Sequence, residues 1–259
     1  MPNPVINQFG RAAGGNNTPS PAYLQGMFDK PAYTGPRAPA RYMTLDDVVV
    51  RTGAMLGTVL AAGAVTWVAL PQHLYGPALI ISLMAGLGLG LYMSFTMRVN
   101  AVTALVYSAA EGVLLGAISH AFESWRHGIV IQALTGTIMV AAGMLFVYKI
   151  GAIRVTPRFT RILVGATIGV FGLMLVNLIA YLFTPNGLGL RSGGALAVVF
   201  SLVCIVVAAL NLVYDFDVVE RGIRQGAPQK FAWYAAFGIT VTLIWLYFEI
   251  LRLLGYLRD

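Results

Sequence analysis

Residues Leu210–Gly226 read LNLVYDFDVVERGIRQG, an apolar run that stops on two carboxylates, Asp215 and Asp217, before it enters a charged loop. The run begins near residue 193 and reaches residue 218, enough helix to cross a hydrocarbon core, which takes about 20 residues. The two acids therefore lie where a membrane-crossing helix meets polar surroundings.

Six further stretches of the same kind lie on either side of this one. They fall at about 48–70, 76–97, 100–121, 128–150, 160–183 and 229–256, with the quoted run at 193–218 as the sixth in chain order. Unsatisfied backbone polar groups are prohibitive in hydrocarbon, so each is expected to be a helix. The expected fold is an all-α membrane protein, a seven-transmembrane-helix bundle. Composition agrees: 58% of the 259 residues are apolar and 10% are charged, against about 25% charged in a soluble domain.

The net charge of +7 does not mark a nucleic-acid binder, because the basic residues lie in loops and form no face interleaved with aromatics. They divide unevenly. Arg11, Lys30, Arg37, Arg41, Arg98, Lys149, Arg154, Arg158, Arg161, Arg221, Arg224 and Lys230 fall on one side, and Arg126, Arg191 and Arg258 on the other. Cytosolic loops collect Lys and Arg, so the N-terminus is expected in the cytosol and the C-terminus outside.

Residues 1–43, with NNTPSPAY and KPAYTGPRAPAR, are broken by Pro and Gly and read as a disordered cytosolic tail. Asn16-Asn17-Thr18 fits a glycosylation sequon only by chance on such a tail. No secretory signal is visible in it, which leaves targeting to the first span. Thr44 and Asp47 form an expected capping box that opens the first helix of a 44–259 membrane domain. Cys204, the single cysteine, lies within the sixth run and excludes an intrachain disulfide.

Small residues repeat in GLGLGLY (Gly86, Gly88, Gly90) and GATIGVFG (Gly165, Gly169, Gly172). No strand precedes either run, so neither is a phosphate loop; both are expected to let neighbouring helices approach closely.

An ionisable side chain at mid-membrane costs about 2.5–3.5 kcal/mol, so each needs a partner or a task. Glu111, near the middle of the third span, is either a carboxyl hydrogen-bonded to a neighbouring helix or a proton or cation site; both place it in the bundle interior. Asp215, preceded by Tyr214, is the candidate inward carboxylate. Asp217 lies about 200° around the helix from it and reads as a solvated helix end. Glu249 and Arg252 are spaced to pair along one helix face. His120, Glu123 and His127 have ligand-like spacing but no fourth partner for zinc. No nucleophile constellation, zinc-protease motif or phosphate-cradling loop occurs, and an enzyme is not expected.

MRVNAVTALVYSAAEGVLLGAIS (Met97–Ser119), LVYDFD (Leu212–Asp217) and IWLYFEILRLLGYL (Ile244–Leu257) together resemble the transmembrane Bax inhibitor motif family, the Bax inhibitor-1 or lifeguard proteins. The likeness covers residues 45–257, and the long tail resembles a bacterial branch. It implies a bundle with its last helix central, a plasma-membrane location, and a pH-modulated calcium leak. In the family mechanism a late sixth-span aspartate pairs with a seventh-span aspartate, and a basic residue at the end of the second span bridges to them.

Carried onto this chain, Tyr214-Asp215 matches the first position and Arg98 the basic one, while Thr242 stands at the second aspartate. Helix counting from the turn at Ala227-Pro228 puts Asp215 and Thr242 level, with Glu249 about 10 Å farther out. The expectation is an Asp215–Arg98 gate that opens on acidification, with Glu111 midway and calcium held only transiently. Partners are the lipid bilayer and, as the alternative function, another membrane protein such as a protease that the chain regulates without transport. A membrane hydrolase is the remaining reading.

Overall fold

A computed structural model describes residues 41–258, together with Gln25. The expected tail up to residue 40, including the Asn16–Thr18 sequon, otherwise lies outside the described residues. Seven helices long and apolar enough to cross a membrane follow one another: α1 (Leu45–Ala69), α2 (Tyr75–Thr96), α3 (Ala101–Trp125), α4 (Ile129–Lys149), α5 (Pro157–Ala180), α6 (Gly194–Arg224) and α7 (Phe231–Leu257). A short 3₁₀ turn, Gln72–Leu74, precedes α2.

Helix starts follow local chemistry. Thr44 and Asp47 cap α1 reciprocally, as expected, with Asp46 and Asp47 at its positive end. Asn100 and Thr103 do the same for α3, and Thr156 caps α5 ahead of Pro157 in the first turn. At 31 residues, α6 runs about 46 Å, longer than the roughly 30 Å hydrocarbon core. Its last turns therefore project beyond the lipid, carrying the helix six residues past the expected end at 218.

The last helix is central, packing on α6, α1, α4 and α3. The outer ring is uneven. α2 leans chiefly on α3, and α5 chiefly on α6.

The tightest helix pair is α1 with α3. A Cβ built on Gly112 would meet the Val59 carbonyl at 2.5 Å, and one on Gly116 would meet the Gly63 carbonyl at the same distance, so these backbones touch because neither position carries a side chain. The expected glycine faces divide. Gly86 and Gly90 pack against α3, but Gly88, Gly165, Gly169 and Gly172 have open space around them. The α5 glycines thus face no helix among the described residues, a correction that follows from α5 packing mainly on α6.

Residues 41–43, assigned to the tail by composition, are docked. Met43 N–H donates to the Ala227 carbonyl at 2.8 Å and Gln229 N–H to the Arg41 carbonyl at 2.9 Å, forming an antiparallel bridge between Tyr42 and Pro228. Met43 is buried against Gly222. Asp47 extends the strap by accepting from Gln229 Nε2 at 2.8 Å, and Arg51 donates to the Gln229 carbonyl with its guanidinium 5.3 Å from the Trp233 ring centre. The start of α1 is thereby tied to the α6–α7 turn.

Candidate functional site

The turn at residues 225–230 folds α6 back along α7, setting Asp215 level with Thr242 as helix counting predicts. Thr242 Oγ1 donates to Asp215 Oδ2 at 2.6 Å. One turn earlier on α7, Gly238 leaves room for the carboxyl: a Cβ there would lie 3.4 Å from Asp215 Oδ1. Thr242 is buried and Asp215 half-buried. Tyr234 on α7 and Tyr214 are the other titratable groups at this contact.

Arg98 is not brought to this pair. Met97 ends α2 in the left-handed conformation at φ 51°, and Asn100 at once begins the cap of α3, which leaves Arg98 exposed on a short connection. Its backbone N–H bonds to Thr96 Oγ1 at 3.3 Å, and among the described residues it makes no ion pair with Asp215. The cation expected at the carboxylate is replaced by a neutral hydroxyl.

Asp217 departs from the expected solvated helix end. It is only 8% exposed and forms an ion pair with Arg221 one turn later. Arg221 lies 5.8 Å above the Tyr214 ring. Next to them Arg224 reaches Glu220 at 3.6 Å, and Glu220 accepts from the Tyr148 hydroxyl of α4. The overhanging end of α6 satisfies its own charges.

Glu111 lies between α2 and α3, half-buried, with its carboxyl in the space opened by Gly86. The Tyr107 hydroxyl, one turn earlier, is its polar neighbour. Tyr107 in turn meets Phe237 of α7 edge to face, ring centres 5.1 Å apart, and Gly90 leaves room for that ring. Phe237 immediately precedes Gly238, so Glu111 and Asp215 flank α7 on different sides, about 100° apart around the helix.

Toward the C-terminal end of α7, Glu249 is 1% exposed. The expected Arg252 contact is present at 3.2 Å, but the stronger partner is Arg191, from the connection before α6, with a fork at 2.9 and 3.3 Å. Arg191 also lies 5.4 Å from the Phe200 ring centre, and its carbonyl accepts from the Tyr256 hydroxyl at 3.2 Å. The sequence offered one signal for this partner: Arg191 is the lone basic residue of its loop.

The three residues with metal-like spacing serve separate purposes. His120 stacks on Tyr75 with ring centres 4.8 Å apart and meets the edge of Trp67 at 5.5 Å. Glu123 accepts from the Gly128 and Val130 N–H groups at 2.5 and 3.2 Å, capping the start of α4. His127 offers its carbonyl to Arg258. Among the described residues no three His, Cys, Asp or Glu side chains converge. At Asp215 a hard cation would find carboxylate and hydroxyl oxygens only, and calcium, which takes six to eight oxygens, would keep most of its water.

The family model described as Bax inhibitor 1 like matches residues 3–259. The search of curated proteins found no match.

Proposed function

The chain belongs to the Bax inhibitor 1 like family, and from that premise we propose that it is a cation leak channel, passing calcium, whose conductance follows pH through Asp215. The observation that carries this reading is the Thr242–Asp215 contact at 2.6 Å between two central membrane helices. A carboxyl there, partnered by a neutral hydroxyl, can exchange a proton or a cation without first breaking a salt bridge. Intramembrane acids of this kind mark ion and proton pathways.

Without the Arg98 bridge the expected pH response changes sign. The charged carboxylate attracts cations and the protonated one does not, so acidification lowers flux. The test is calcium flux from liposomes at pH 8 and pH 6. Unaltered protein passes more calcium at pH 8; Asp215→Asn passes several-fold less at pH 8 and responds little to pH. Flux that rises on acidification and is high in Asp215→Asn would restore the Arg98 bridge as the resting gate.

The placement that goes with this reading is a bacterial plasma membrane, with the N-terminus cytosolic and the C-terminus external, as the loop charges favour. No catalytic step and no resident cofactor is part of it. One observation favours the alternative, a regulator that binds another membrane protein: Gly165, Gly169 and Gly172 leave open space along α5, where a partner helix could approach closely. On that reading Asp215→Asn leaves flux at the background of protein-free liposomes, as does the unaltered chain.

A further inference from the structure

Between α1 and α4 lies an apolar cleft of about 810 Å³, floored by α3, α6 and α7. Its walls run from Leu56 to Val68 on α1 and from Val130 to Leu145 on α4, about 18 and 22 Å at 1.5 Å per residue. Every lining residue belongs to a membrane-crossing helix. The cleft is therefore continuous with the surface that contacts the bilayer, more than half the depth of the roughly 30 Å hydrocarbon core.

Its polar groups are few, and most have partners within the protein. Ser119 and Tyr247 hydroxyls bond to each other at 2.7 Å, and Thr137 Oγ1 donates to the Ala133 carbonyl at 2.8 Å. Water would find few partners there, and an empty cleft would forfeit the dispersion contacts of its walls. Its walls are apolar and lie wholly within membrane-crossing helices, so the occupant at hand is a flexible hydrocarbon chain, which needs no hydrogen-bond partner.

We propose that this cleft is a binding site for an acyl chain of a bilayer phospholipid, seated between α1 and α4 against the central helix. The chain would lie along Phe216 of α6 and Ile239 and Leu243 of α7, within one helical turn of Asp215 and Thr242. It thus backs the helix pair that carries the carboxyl–hydroxyl contact. The site itself does not depend on the transport reading.

The test uses the full chain in phosphatidylethanolamine–phosphatidylglycerol vesicles doped with a phosphatidylcholine bearing a diazirine at mid-chain, with adducts located by mass spectrometry after irradiation. Ile239 and Ile244 decide the outcome, because they line the cleft yet are only 9% and 7% exposed. Adducts there are expected at levels at least equal to those on the outer faces of α2 and α5. Filling the cleft from both walls with Ala64→Phe and Ala142→Phe should cut the α6 and α7 adducts about fivefold and leave those on α5 unchanged. Labelling confined to outer faces overturns the proposal, whether or not the filled variant folds. So does α7 labelling that ignores the filling, or cross-linking of cleft residues to a second copy of the chain.

Discussion

On the proposed calcium-leak reading, Asp215 and Thr242 offer one acid where the mechanism implied by the family resemblance has two. Replacing Thr242 with Asp restores a second carboxylate at hydrogen-bond range of the first. Calcium affinity, read from the calcium dependence of flux or of thermal unfolding, should rise about tenfold, or about 1.4 kcal/mol, because hard cations gain with each anionic oxygen. Glu249 presents the opposite case, one acid between two guanidiniums. Glu249→Leu leaves the half-buried Arg191 without its forked counter-charge and should cost up to about 3 kcal/mol, the lower end for a broken buried pair, visible as a lower unfolding temperature in detergent. Arg252→Leu should cost far less, since the Arg191 fork remains. Helix counting made the level of Asp215 and Thr242 legible in the sequence. It could not supply the Arg191 partner or the absence of Arg98, because ion pairs between distant segments depend on loop paths that no local pattern encodes.

Among the elements, glycine spacing was readable but the face it serves was not. GVLLG (Gly112–Gly116) on α3 makes the closest helix approach in the bundle, whereas the glycines of the more conspicuous GATIGVFG on α5 meet nothing. A four-residue repeat shows that a helix can come close; which helix does so is decided by the order in which the others pack. The contrast predicts paired outcomes. Gly116→Leu drives a side chain into the Gly63 backbone and should abolish monodisperse protein on size exclusion. Gly169→Leu should be recovered at a yield within about twofold of the unaltered chain. Asp217 teaches the same lesson: α6 continued past its apolar run, and the extra turns placed Arg221 where it could cover the acid.

For the whole molecule, the span count and the helical class were legible because hydrocarbon permits so few solutions, while the central last helix was implied only by the family resemblance. Orientation follows from loop charge by the same physics and can be checked directly. Reporter fusions after Arg158 and Arg224 should read cytosolic, and a fusion after Asp259 external. A cytosolic C-terminal reporter would require an even number of crossings and a redrawn bundle.

The strap at residues 41–47 has a consequence for the order in which the protein is made. Asp47 meets Gln229 across 182 residues of chain, so the segment that opens α1 docks on a turn synthesised much later. Chains are built from the N-terminus at about 5–20 residues per second, and for many seconds Met43 and Arg51 have no partner. Closure of the strap must wait until α6 and α7 have entered the membrane as a hairpin. A chain stalled before Gln229 would leave the strap undocked and Met43 exposed, and a finished one buries Met43, making the strap a mark of completed insertion.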